Sequence, residues 1–112
     1  MGINHQEVVL LPYNHEFPFV LHPKEENNFL IEVNNPGYLT ITLRKCDESE
    51  PTFGYTFDYE SFQNKEYTYE ATLEDDPKYE FKTKTKEKGT LYIHIESPKD
   101  RSLLSLKVTF SP

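Results

Sequence analysis

Apolar and polar residues alternate with a period of two along most of the chain. Three ranges show the pattern most clearly: residues 37–46, where Leu39, Ile41 and Leu43 alternate with polar residues, and residues 90–96 and 104–110, which have an aliphatic or aromatic residue at every second position. Successive side chains of a β-strand point to opposite faces of a sheet. The pattern therefore predicts three strands that each bury one face.

Shorter runs add further strands to this prediction. Residues 29–33 and 17–21 alternate in the same way, and residues 8–11 form a short apolar run ahead of them. We expect residues 8–11 to lie at a sheet edge. Pro18 also favours an edge for residues 17–21, because proline has no N–H to give to a neighbouring strand. Aromatic residues alternate between Phe53 and Phe81 and predict more strands, whose rings line the core.

Together these segments predict an all-β protein with eight or nine strands. Turn signals recur every ~8–12 residues, which is typical of an antiparallel β-sandwich of jelly-roll type. A small closed barrel is the alternative, and no helix of useful length is expected. The predicted core comprises eleven side chains: Phe29, Ile31, Leu39, Ile41, Leu43, Leu91, Ile93, Ile95, Leu106, Val108 and Phe110.

Three segments carry specific turn and edge predictions. Asn35-Pro36-Gly37 predicts a type II turn, in which glycine adopts a positive φ. Residues 75–78 predict a turn between an acidic strand, with Glu66, Glu70 and Glu74, and a basic strand, with Lys78, Lys82 and Lys84, and Glu–Lys contacts would set the register if the two strands pair as a hairpin. The lysines of residues 82–88 predict a solvated edge strand.

Composition limits the classes of protein that remain. A chain of 112 residues and 13.2 kDa has room for one domain, residues 1–112, and its Met-Gly start is also compatible with a domain cut from a longer protein. Its 12 Lys and Arg against 19 Asp and Glu give a net charge of −7, which argues against a nucleic-acid partner. One cysteine allows no internal disulfide, and the apolar runs are too short to span a membrane. The compartment stays open.

Acidic residues are the first candidates for chemistry. Asp47, Glu48 and Glu50 follow a predicted strand, and Asp58 lies nearby in sequence. Loops at one end of a sandwich can pool the six to eight oxygens that calcium requires, so these four residues form a candidate calcium site. They match no calcium-loop motif, and the alternative is a solvated acidic rim.

Histidine, cysteine and tyrosine supply the remaining candidates. The four histidines show no metal-ligand spacing, so each is expected at the surface or half-buried. Cys46 with His94 offers a thiol nucleophile and a base but lies in no known catalytic motif, so no enzyme is predicted. Tyr38 and Tyr92 point away from the aliphatic side of their strands. They form a candidate surface for a protein partner or a sugar, the alternative being ordinary tyrosines of a sheet surface.

A family resemblance accompanies these predictions. Lys88-Gly89-Thr90-Leu91-Tyr92-Ile93-His94-Ile95, followed by Ser105-Leu106-Lys107-Val108-Thr109-Phe110, resembles the closing strands of bacterial pre-peptidase C-terminal domains. Residues 29–33 and 37–43 are similar to an early strand pair of that family. The layout also resembles the C2-like β-sandwich domain of calpain-type proteases. Either resemblance implies a non-catalytic accessory domain beside other domains. We expect this module to bind a protein partner, or a neighbouring domain of its own polypeptide, through its loops or one sheet face. The alternative is a calcium-dependent or carbohydrate-binding module.

Overall fold

Nine strands and one short helix make up the computed structural model, which describes residues 8–74, 78–85, 88–97 and 99–112. The strands are β1 (Val8–Leu10), β2 (Phe17–Leu21), β3 (Glu26–Val33), β4 (Gly37–Lys45), β5 (Thr52–Thr56), β6 (Tyr69–Thr72), β7 (Lys78–Thr85), β8 (Gly89–Glu96) and β9 (Ser102–Ser111). Helix α1 spans Tyr59–Gln63, between β5 and β6.

The strands form two sheets. The five-stranded sheet has the order β1-β3-β8-β5-β6, and the four-stranded sheet has the order β2-β9-β4-β7. Among the described pairings, β1 with β3 is parallel and the others are antiparallel. The predicted antiparallel β-sandwich is confirmed, and the closed barrel is not formed.

The core lies between the two sheets. Ten of the eleven predicted core residues are buried, whereas Phe110 is only half-buried and packs against the core from its rim. Alternation predicted these positions because each faces the other sheet. Seven further apolar residues are buried: Leu11, Leu21, Val33, Phe53, Phe62, Leu73 and Leu104.

Edge positions agree with the sequence. Strand β1 lies at one edge of the five-stranded sheet, and β2 and β7 are the two edges of the four-stranded sheet. Pro18 therefore lies in an edge strand, and β7 exposes Lys82 and Lys84 as predicted. Residues 86 and 87 of the predicted edge strand lie outside the described residues.

The acidic and basic strands do not pair as a hairpin. Strand β6 pairs with β5 in one sheet, and β7 pairs with β4 in the other. The rings of both strands face the interior, where Phe81 lies 4.8 Å from the buried Phe53 and Tyr69 lies 6.4 Å from it, measured between ring centroids. Because β6 and β7 face each other across the core, both strands can cover Phe53. Residues 75–77 of the predicted turn lie outside the described residues.

The type II turn at Gly37 is also wrong. Gly37 lies in β4 and its φ is not positive. A Cβ at this position would lie 2.5 Å from the Ser111 carbonyl oxygen and 2.6 Å from the Phe110 ring. Glycine is required here because β9 approaches closely, not because the backbone is left-handed.

Residues 57–68 depart from the predicted strand alternation. Strand β5 ends at Thr56, and the carboxylate of Asp58 caps α1 by accepting from the Ser61 amide at 2.9 Å. Helix α1 buries Phe62 against Tyr92, with ring centroids 4.9 Å apart. Because Tyr92 lies on β8 and points away from the core, this segment covers the outer face of the five-stranded sheet.

Candidate functional sites

Two strands place four polar residues on the outer face of the five-stranded sheet. Glu26 and Asn28 lie on β3, and in the β3–β8 register they are directly opposite Glu96 and His94 respectively. Residues two apart on a strand share a face, so the four side chains form a compact quadrilateral.

His94 is the centre of this group. Its Nδ1 lies 2.7 Å from Asn28 Oδ1, and its Nε2 lies 2.9 Å from Glu96 Oε1 and 3.9 Å from Glu26 Oε2. The residue is only 2% exposed, so the expectation of a surface or half-buried histidine is wrong for His94. The sequence pattern correctly put it on the outward side of β8, but the segment between β5 and β6 covers that side.

Tyr67 forms the cover. Its ring stacks on the imidazole of His94, with centroids 5.3 Å apart and an interplanar angle of 11°. Gly54 lies opposite His94 on β5, and a Cβ at Gly54 would lie 2.8 Å from the Tyr67 ring. Burial raises the pKa of Tyr67, and the negative charges of Glu26, Glu96 and Glu70 raise it further. The ring stacked on the imidazole is thus surrounded by negatively charged carboxylates.

Lys65 contacts this group, with its Nζ 3.3 Å from Glu26 Oε2. One ligand atom from each of Glu26, His94 and Glu96 lies within 4.8 Å of the other two. Within the described ranges, no other set of three or more His, Cys, Asp and Glu side chains comes so close together. Sequence reasoning missed it because Glu26 and His94 are far apart in the chain and meet only through strand register.

The four residues of the predicted calcium site lie elsewhere and do not form such a set. Asp47 Oδ1 accepts from the Ser49 amide at 3.1 Å and from the Ser49 hydroxyl, and Oδ2 accepts from the Leu103 amide at 2.9 Å. Partial burial raises the pKa of Asp47, but these hydrogen bonds outweigh burial and leave it below its ordinary value. Glu48 and Glu50 are exposed.

Asp58, the fourth residue, accepts from the Ser61 amide and from the Ser61 hydroxyl, and the pKa of Asp58 is lowered by these bonds. Both aspartates therefore hold local backbone in place. Calcium binding by Asp47, Glu48, Glu50 and Asp58 stays a prediction.

A buried ammonium lies in the same region as Asp47. Lys45, at the end of β4, is 7% exposed, and its Nζ donates to the carbonyl oxygens of Ser49, Leu73 and Glu74. The side chain thereby ties the loop after β4 to the end of β6. Sequence alternation gave no indication of this contact.

Tyr38 and Tyr92 lie on different sheets. Tyr92, on β8, is covered by Phe62 and by Tyr59, whose ring centroid is 5.5 Å from its own. Tyr38, on β4, is 46% exposed, and Lys84 Nζ lies 6.0 Å from the centroid of its ring. The two tyrosines therefore do not share one surface.

Tyr38 lies on a basic surface. The outward positions of β4, β7 and β9 bring together five cations, Arg44, Lys78, Lys82, Lys84 and Lys107, with Glu80 as the one acid. Thr40, Thr42 and Thr109 lie between them, and we call this surface the basic face. Five of the chain's 12 Lys and Arg residues and one of its 19 Asp and Glu residues lie on it, so the face carries +4 in a chain of net charge −7.

The single acid of the basic face is already paired. Glu80 Oε2 accepts from Thr42 Oγ1 at 3.3 Å and lies 3.8 Å from Lys78 Nζ. The remaining cations of the face, such as Lys82 and Lys84, point to solvent from the edge strand β7.

The candidate thiol and base lie on different sheets. Cys46 follows β4 and is exposed, whereas His94 is buried on a strand of the other sheet.

Comparison with known proteins identifies the fold. No protein-family model and no curated protein matches the chain. The pre-peptidase C-terminal domain of a collagenase from Bacillus anthracis superposes with a TM-score of 0.75 at 12% identity, over 96% of this chain and 100% of that one. CorA, a surface-associated copper-binding protein of Methylomicrobium album BG8, gives 0.71 at 6% identity, over 94% and 98%. PliG of Aeromonas hydrophila, a periplasmic inhibitor of g-type lysozyme, gives 0.54 at 12% identity, over 93% and 96%.

The resemblance to pre-peptidase C-terminal domains is thus confirmed for the fold. In the described part of the chain, no helix has the length and apolar character that crossing a bilayer requires.

Proposed function

We propose that this chain is a non-enzymatic interaction module that binds an acidic protein partner through the basic face. The observation that carries the proposal is the separation of charge: a sheet face of +4 in a chain of −7. A surface that served solubility alone would gain nothing from gathering cations on one side. Concentrated positive charge attracts and orients a partner of opposite charge.

The shape of the basic face fits a protein surface. Three strands at ~4.8 Å spacing, each about eight residues long at ~3.3 Å per residue, give a face of about 14 by 26 Å. This area of roughly 360 Å² is smaller than the ~800 Å² per partner of a standard interface. The complex is therefore expected to be weak and sensitive to salt. Tyr38 supplies an exposed ring at one end of the face, and tyrosine is frequent among residues that dominate binding energy.

A folded acidic partner is favoured over a nucleic acid. The acids outside the basic face include Glu26, Glu32, Glu70 and Glu96 on the other sheet, and they repel a long polyanion that extends past the face. A compact acidic protein surface can contact the cations alone. The similar structures include a periplasmic lysozyme inhibitor, so the same fold presents a protein-binding surface in another chain.

Charge reversal on the basic face tests the proposal. Binding of fluorescent poly-L-glutamate, as a probe of an acidic polypeptide, is measured by anisotropy at low and at physiological salt. The variant Lys82→Glu with Lys84→Glu is compared with Lys24→Glu with Lys99→Glu, which changes the net charge equally at exposed loop positions. We expect the first pair to weaken binding at least tenfold and the second to change it less than about twofold.

Equal weakening by both pairs would show that net charge alone controls binding and would overturn the proposal. A parallel titration with single-stranded DNA of equal charge completes the test. Tighter binding of the DNA than of poly-L-glutamate would overturn the assignment of a protein partner. Size-exclusion chromatography of the free chain at high concentration distinguishes binding to a second copy, which would also contradict it.

A further inference from the structure

We propose that Glu26, His94 and Glu96 bind a divalent transition-metal ion on the outer face of the five-stranded sheet. This site lies on the sheet opposite the basic face, so it is independent of the proposed partner binding. Strand register, the orientation of the imidazole and the ligand geometry each support it.

The register places two like charges together. Glu26 and Glu96 are directly opposite each other on β3 and β8. Like charges at directly opposed positions destabilise a sheet pair. A cation bound between the two carboxylates offsets this repulsion, because each carboxylate is attracted to the cation.

The imidazole directs its Nε2 atom to the same point. Asn28 Oδ1 lies 2.7 Å from His94 Nδ1, where it can accept the Nδ1 proton, so Nε2 is the ring nitrogen available to a metal ion, which would replace the Nε2 proton shared with Glu96. That nitrogen faces the carboxylate oxygens of Glu96 and Glu26 at 2.9 and 3.9 Å. A polar group that accepts the second ring proton and fixes the ring orientation is a recurring support of histidine metal ligands.

The distances suit a small ion after slight movement of the side chains. Tetrahedral coordination with bonds of ~2.0–2.2 Å puts ligand atoms about 3.4 Å apart, and the ligand atoms here lie within 4.8 Å of one another. The Glu26 and Glu96 side chains are 30% and 43% exposed, so an ion can enter from solvent and retain water at its open position. Tyr67 closes the other side of the imidazole.

Nitrogen and carboxylate ligands together select the class of ion. Calcium and magnesium take oxygen ligands, whereas imidazole suits zinc and copper. Lys65 is an internal competitor, because its ammonium contacts the Glu26 oxygen that would coordinate the metal. The proposal therefore requires that removing this ammonium increases metal affinity.

Zinc chloride is the probe, titrated calorimetrically into tag-free protein that has been stripped with a chelator. Glu96→Gln and Glu26→Gln each remove one ligand, and Glu32→Gln is the matched control on the same strand and the same outer face. We expect one zinc ion per chain, affinity at least tenfold lower in the two ligand variants, and unchanged affinity in the control. Lys65→Gln is expected to bind zinc more tightly than the unmodified chain.

Nitrogen NMR of the histidine rings identifies the ligand without a substitution at the buried His94. Zinc is expected to shift the Nε2 resonance of His94 and to leave Nδ1 protonated. Absence of binding at millimolar zinc would overturn the proposal. Equal affinities in Glu96→Gln and Glu32→Gln, or a shift confined to His15 and His22, would also overturn it.

Discussion

The ring of Tyr67 lies flat on the imidazole of His94, and Gly54 on the adjacent strand is the residue that makes room for it. Three separate segments thus define one small surface: β8 supplies the imidazole, β5 supplies the space, and the chain after α1 supplies the cover. Because the space is the missing side chain of Gly54, a single methyl group tests the arrangement.

We expect Gly54→Ala to destabilise the fold by about 1–3 kcal/mol, because its Cβ would lie 2.8 Å from the Tyr67 ring and force it away. Urea unfolding measures the change. Gly89→Ala is the control, since a Cβ there has nothing within 4 Å. Similar losses in both variants would show that backbone freedom of glycine, and not the contact with Tyr67, determines the effect.

Lys45→Met tests the buried ammonium. The substitution keeps an unbranched side chain but leaves the carbonyl oxygens of Ser49 and Leu73 without their donor. Because the variant loses hydrogen bonds from a charged group and leaves buried oxygens unpaired, we expect its free energy of unfolding to fall by roughly 2–4 kcal/mol. Lys82→Met, exposed on β7, should change the free energy of unfolding by less than about 0.5 kcal/mol. A loss for Lys45→Met no larger than this would contradict the role assigned to Lys45.

Acid stability should depend on Asp47. Its pKa is lowered in the folded chain, so its contribution to stability is complete above the unfolded value of ~3.9 and is lost as pH falls through the lower folded value. Melting temperatures between about pH 2 and 6 should therefore fall more steeply for the unmodified chain than for Asp47→Asn. The two curves should converge at the acid end. Glu48→Gln, at the exposed neighbouring residue, should keep the steep dependence, and a parallel offset of Asp47→Asn at every pH would contradict the prediction.

Phe62→Ala tests how α1 is attached. Phe62 is the buried residue of the helix and stacks on Tyr92, so we expect a loss of about 3 kcal/mol in unfolding experiments. Phe57→Ala, an exposed phenylalanine in the same segment, is the matched control and should cost less than about 1 kcal/mol. If both variants are equally stable, α1 does not contribute to the cooperative fold.

Alternation predicted the sandwich and nearly all of its core because burial of one strand face needs only local information. The partners of β6 and β7 depended on which rings cover Phe53, which no local pattern contains. The start of α1 was predictable in principle, because Asp58 is an N-cap residue whose side chain accepts from the Ser61 amide. The alternation of aromatic residues through Tyr59 favoured a strand there instead.

For the candidate sites too, local alternation predicted some features and strand pairing decided the others. Alternation placed Tyr38 and His94 on outward positions, but strand register decides what lies beside them. Glu26 meets His94, and the lysines of β7 meet β4, only after the sheets have formed. The set Glu26, His94 and Glu96 was therefore invisible in the sequence, as was the concentration of cations around Tyr38.

The uneven placement of charge also determines how the molecule behaves on a chromatography resin. From an isoelectric point near 5.0 one would choose an anion exchanger at neutral pH and expect no retention on sulfonate beads. Adsorption, however, depends on the patch that touches the support and not on the average over the molecule. With its four-stranded sheet turned towards the beads, this acidic protein should be retarded on a cation exchanger at low conductivity and elute with modest salt.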